Sequence, residues 1–168
     1  MPELSHDIPH DSPSDEVLLE LGRLTWAAIN LEDVVYTVCQ CIRPNGDYRD
    51  TPAVARIKQA REALTTQPDE KLRARADKWL EAAAQALADR HAVLHSEPVT
   101  FVSLSADVTP GDLDPLLAHF PRDRSRPQVN TPLTASALRS LRWHLESARA
   151  GWVELAVELD EARVRERA

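Results

Sequence analysis

A chain of 168 residues with 43% apolar content is long enough to bury one good core, which predicts a single domain. The formal net charge of −7 excludes broad electrostatic attraction to nucleic acid, so any RNA contact has to be local and salt-sensitive. Glycine is scarce, phenylalanine is limited to Phe101 and Phe120, and alanine and leucine are abundant, which favours helix over sheet.

Residues 1–11 are polar and interrupted by proline, and contain the small repeat His6-Asp7-Ile8-Pro9-His10-Asp11, read as an N-terminal tail. Ser12 is the expected N-cap of the first helix, with Pro13 at its first position and Asp15 meeting the free amides. Leu21, Leu24, Ala28, Leu31, Val35, Val38 and Ile42 recur at steps of three and four and form its inward seam. The helix should end at Arg43, before a turn at Pro44-Asn45-Gly46-Asp47. Cys39 and Cys41 lie two positions apart on it and point to nearly opposite sides, so free thiols are expected rather than a disulfide or a metal clip. Asp33 reads as solvated. Glu32, beside Leu31 and Val35, either does the same or reaches a basic group on another helix.

A second helix is predicted from Thr51 as cap and Pro52, with Val54, Ile57, Ala60 and Leu64 inward, to Thr65-Thr66-Gln67. A third starts at Pro68 and buries Leu72, Ala76, Trp79 or Leu80, Ala83, Leu87 and Leu94; at about 28 residues it would run roughly 42 Å. From Glu97 to Pro132 the helical period is lost. Within that stretch Val99 to Leu104 is β-prone, Asp114-Pro115 could open a short helix through His119, and Arg122, Arg124 and Arg126 make a basic loop. The last helix, capped by Thr134, has the cleanest period: Leu138, Leu141, Leu145, Ala148, Trp152, Leu155, Leu159 and Ala162. Such a seam suits both a four-helix bundle and a homodimer contact. Trp79, Trp143 and Trp152 read as core or interface anchors. The expected fold is therefore all-α: an up-and-down four-helix bundle over residues 12–168 with a long irregular insertion between the third and fourth long helices. No apolar run approaches the length of a membrane span and no secretory leader opens the chain, so a cytoplasmic protein is expected.

The residues that need a chemical explanation are Arg90, His91 and His95, where the third helix meets the insertion. His91 and His95 share a helix face, and Arg90 is set about 100° round from His91. Zinc would need a third ligand, from Glu97 or His144, and no recognised ligand spacing is present, so neither a metal nor another cofactor is expected. Without metal, a histidine can take the proton from a ribose 2′-hydroxyl or return one to the leaving 5′-oxygen, while a guanidinium stabilises the phosphate. The bland alternative pairs Arg90 with Glu32 or Asp89 and makes His95 a cap at the helix C-terminus. The same Arg-x4-His spacing recurs at Arg139 and His144, in mid-helix.

Arg90-His91-Ala92-Val93-Leu94-His95 at the end of a long helix, with Leu21-Gly22-Arg23 and Leu31-Glu32-Asp33 in the opening helix, resembles the HEPN superfamily of small helical proteins. That resemblance implies a metal-independent ribonuclease of toxin or defence type. Arg90 would bind phosphate, His95 would act as acid or base and His91 would orient it, at a cleft shared by two protomers. It implies RNA as substrate and an antitoxin protein as partner. The superfamily also includes helical binding and scaffolding modules without activity, which is the alternative reading.

Overall fold

The computed structural model describes residues 13–46, 48, 50–94, 97–99, 116–119, 129–132 and 134–167. The expected tail at 1–11 and the basic loop around Arg122 lie outside the described residues, as does His95.

The first helix, α1 (Asp15–Ile42), starts two residues later than expected. Ser14, not Ser12, is the cap: its backbone is extended, its hydroxyl accepts a hydrogen bond from the Val17 amide at 3.4 Å, and its carbonyl accepts one from the Leu18 amide. That register places Asp15 and Glu16 in the first turn, where the helix dipole favours negative charge. After the turn at 44–45, α2 (Ala53–Leu64) begins with Pro52 rather than Thr51 at the cap position. The third helix, α3 (Glu70–Leu94), opens on Asp69, whose Oδ1 accepts from the amides of Lys71 and Leu72, both at 3.0 Å. It is 25 residues long, a little shorter than predicted.

The insertion then carries three short strands, β1 (Glu97–Val99), β2 (Leu116–His119) and β3 (Val129–Pro132), paired antiparallel in that order. Glu97 is opposite Ala118, and Leu117 is opposite Thr131. Residues up to His119 were expected to close a short helix; Leu116–His119 is strand instead, because its backbone groups pair on both sides. Thr134 caps α4 (Ala135–Ala148) as predicted, accepting from the Ala137 amide at 3.2 Å. The last helix is not continuous. Gly151, at φ 73°, turns the chain between α4 and α5 (Trp152–Arg167), a left-handed conformation that only glycine adopts without strain.

These helices form the all-α bundle that the sequence predicts. Helix α1 packs against all the other helices, and α3 also packs against α2, α4 and α5. One hydrophobic cluster results, with Leu24, Leu31, Val35, Val38, Leu80, Leu138, Leu145 and Leu155 at its centre. Ion pairs tie the outer edges: Arg61 grips Asp77 through two hydrogen bonds of 2.6 and 3.0 Å between α2 and α3, and Arg75 meets Glu158 of α5. Leu80, the alternative to Trp79, faces the core; Trp79 is half-buried and donates from Nε1 to the Ala150 carbonyl at 3.3 Å. One expected inward position faces water: Val54 is exposed, while Ile57, Ala60 and Leu64 seat the short α2. Trp143, expected as a core or interface anchor, is not in the core and lies on the outer side of α4 beside the exposed His144. Tyr48, which no periodic pattern singled out, is buried in the core with its ring edge-on to Tyr36. No helix among the described residues is long and apolar enough to cross a membrane.

Candidate functional site

Two flanks of α1 carry polar features that core packing does not require. On the first, the end of α3 crosses the C-terminal half of α1. There Arg90 Nη1 reaches Glu32 Oε1 at 3.5 Å, so Glu32 does meet a basic group on another helix. The Arg90 side chain is 21% exposed and that of Glu32 39%. The Arg90 Nε is buried with no hydrogen-bond partner among the described residues. Asp89, the other carboxylate considered for Arg90, instead accepts from Gln85 Nε2 at 2.8 Å. His91 is exposed on the last turn of α3. Thus Arg90 and His91 stand together at the helix end with Glu32 against the arginine. His144 packs its ring 5.6 Å from that of Trp143 on α4, and no described contact joins it to Arg90.

The second flank went unnoticed in the sequence. Leu18, Gly22, Trp26 and Asn30 recur every four residues along α1 and so lie on one face, with Leu19, Arg23 and Ala27 beside them. Arg142 and Glu146 of α4, with Arg149 at its C-cap, form the opposite wall of a groove of about 760 Å³. Its floor is apolar and its rim largely guanidinium. Trp26 is 66% exposed, and Leu18 and Leu19 are half exposed.

Glu20 anchors this rim from below, and is the one buried charged side chain among the described residues, at 2% exposure. It accepts a hydrogen bond from Arg23 at 2.8 Å, while Arg142 Nε stands 3.4 Å and Arg139 Nε 3.7 Å from its oxygens. Arg139 also reaches Glu16 at 2.9 Å, and Arg142 reaches Glu146 at 3.5 Å. The Arg23 hydrogen bond, helped by the charges of Arg142 and Arg139, holds the Glu20 carboxyl below the usual range against the opposing effect of burial. Carboxylate and arginines therefore lock α1 to α4 and fix the rim. Arg149 makes no ion pair with any described residue. A signal for Glu20 existed: it stands between Val17 and Leu24 on the core stripe, and Arg139 and Arg142 are three apart on the facing helix.

Neither thiol is shifted towards the thiolate. Burial pushes Cys39 up to about 12, and burial together with Asp160 raises Cys41. No group of three or more histidine, cysteine or carboxylate side chains that could hold a metal ion occurs among the described residues. No family model, curated protein or solved structure matches this chain.

Proposed function

We propose that this chain is a helical binding module whose α1–α4 groove receives a helix of a protein partner. The observation that carries this reading is an apolar floor of Leu18, Leu19 and Trp26 left open between fixed arginines. From Leu18 to Asn30 the groove runs about 18 Å, some three helical turns. Solvent-exposed apolar side chains grouped this way are the usual mark of an interaction surface. Arg90, by contrast, is held by Glu32, as a structural arginine would be. The test is site-specific photo-cross-linking in cells, with a benzophenone side chain at Leu19 or, as control, at exposed Val54. Adducts confined to the Leu19 position support the reading; equal labelling at both positions defeats it.

A second reading keeps the chemistry at the end of α3. It is favoured by the partial exposure of Arg90 and by its nearness to His91 on the final turn. In that reading the chain is a metal-independent endoribonuclease of the HEPN kind, a toxin or defence component held in check by an antitoxin. Arg90 would hold the phosphate, His95 would move the proton and His91 would orient it. Cleavage of mixed-sequence RNA in EDTA, leaving 2′,3′-cyclic phosphate ends and abolished by Arg90→Ala and by His95→Ala, would establish it. RNA left intact by the wild type would dismiss it.

A further inference from the structure

Gly22 sits two turns inside the 28-residue α1, exposed, with ordinary helical φ. A Cβ built on it meets nothing within 4 Å. Nothing among the described residues therefore uses the missing side chain, although glycine in a helix interior costs stability relative to alanine. One turn on, on the same face, Trp26 projects a large indole with most of its surface uncovered. The face thus carries a gap and a projection of matching kind, one helical turn apart.

We propose that the helix received by the groove is α1 of a second copy of this chain, packed antiparallel about a two-fold axis. Each Trp26 then fills the gap over Gly22 of the other copy. The inference rests on the reading that the groove docks a helix, and names the partner. In an isologous contact the same patch meets itself, so each pairing occurs twice. Antiparallel register that sets residue 22 against 26 also sets 19 against 29 and 18 against 30. Leu19 then meets Ile29, and both are exposed in the single chain. Leu18, Leu19, Trp26 and Ile29 leave roughly 400 Å² of apolar surface uncovered per copy, the size of patch that marks a contact site. Doubled, and with the arginine stems added, this comes near the lower bound of about 1,200 Å² for a specific interface. A dimer that dissociates on dilution follows.

At the contact itself Arg23 and Arg142 are compensated by Glu20 and Glu146. Arg149 on the groove wall makes no ion pair with any described residue, and the register that sets 22 against 26 also sets the exposed Asp15 against Asp33, so some like charge opposes the pairing. That repulsion adds to the effect of the net charge of −7 on each copy, so added salt should tighten the dimer.

Sedimentation velocity of the full chain over a concentration series tests the proposal. The wild type should show a reversible monomer–dimer equilibrium. Gly22→Leu and Trp26→Ala should each weaken it about tenfold or more, as loss of a central aromatic anchor does, with unchanged helix content by circular dichroism. The exchanged variant, Gly22→Trp with Trp26→Gly, should regain dimerisation, since gap and projection have merely traded places. General damage to the fold would not be repaired by a second substitution. A strictly monomeric wild type overturns the inference, as does a dimer indifferent to both single substitutions. If the wild type is monomeric yet Leu19 still cross-links to other proteins, this inference fails and the docking reading stands.

Discussion

Whether Arg90 is a structural or a catalytic residue can be settled by a double-mutant cycle with Glu32. At 3.5 Å the pair has a gross Coulomb attraction of about 5 kcal/mol in an effective dielectric near 20. Most of this is offset. Glu32 is 39% exposed and keeps much of its hydration, both long side chains lose rotamer freedom, and the Arg90 Nε is buried without a partner. A coupling of about 1 kcal/mol should remain. Urea unfolding of wild type, Arg90→Ala, Glu32→Ala and the double variant, followed by circular dichroism, measures it. Arg90→Ala should also lose the packing of its half-buried stem, for a total cost of about 1–2 kcal/mol. The coupling should shrink in high salt, because Glu32 is open to solvent. Coupling below about 0.3 kcal/mol would refute the structural tie. RNA cleavage lost in a fully stable Arg90→Ala would refute it more directly.

Other expectations follow from the packing of single groups. A Cβ on Gly46 would lie 2.5 Å from both Cε2 and Cζ of the buried Tyr48 ring, so Gly46→Ala should cost about 1–3 kcal/mol in denaturant unfolding. The Tyr48 hydroxyl is buried without a hydrogen-bond partner among the described residues; Tyr48→Phe should therefore leave stability within about 1 kcal/mol of wild type or raise it, and a larger loss would reveal a bonded phenol. Native protein should resist iodoacetamide at both thiols, with the half-buried Cys41 modified before Cys39 on mass mapping. Because the folded Cys39 is raised to about 12, its contribution to stability is intact below the unfolded value of about 8.5 and declines as pH rises towards 12. Glu20 has the opposite sign. Its folded carboxyl is lowered, so its stabilisation is present above the unfolded value of about 4.3 and is lost on further acidification, and Glu20→Gln should flatten the acid limb of a stability profile.

Most of the bundle could be read from periodicity, because core burial imposes it. Leu24, Leu31, Val35, Ala76, Leu138, Leu145, Leu155 and Leu159 are all inward where their spacing places them. Helix ends were legible where a side chain caps them, as at Thr134, and were misjudged where two candidates compete, as with Ser12 and Ser14. The break at Gly151 was hidden because the apolar steps continue in register from Ala148 to Trp152 and Leu155 while the backbone turns between them. The strands of the insertion are three or four residues long, too short for an alternating pattern to declare itself, and their pairing is set by partners roughly 10 to 20 residues away.

The groove escaped detection for a related reason. Helix α1 carries two apolar stripes, one through Leu24, Leu31 and Val35 and another through Leu18, Leu19 and Trp26, and spacing alone does not say which faces inward. Only the docking of α2, α3, α4 and α5 decides it. Glu32 was legible as a partner-seeking carboxylate because it interrupts an apolar run, whereas Glu20 among Leu18, Leu19, Leu21 and Gly22 looks like a boundary residue. The geometry also separates the two candidate sites. Glu32 follows Trp26 by six residues and so lies about 120° round α1 from it, which puts Arg90 and the groove on different flanks. A second copy seated on Trp26 would leave Arg90 and His91 uncovered. Dimerisation through this face and any chemistry at the end of α3 are therefore independent properties, and loss of the dimer in Trp26→Ala should leave the Arg90–Glu32 coupling unchanged.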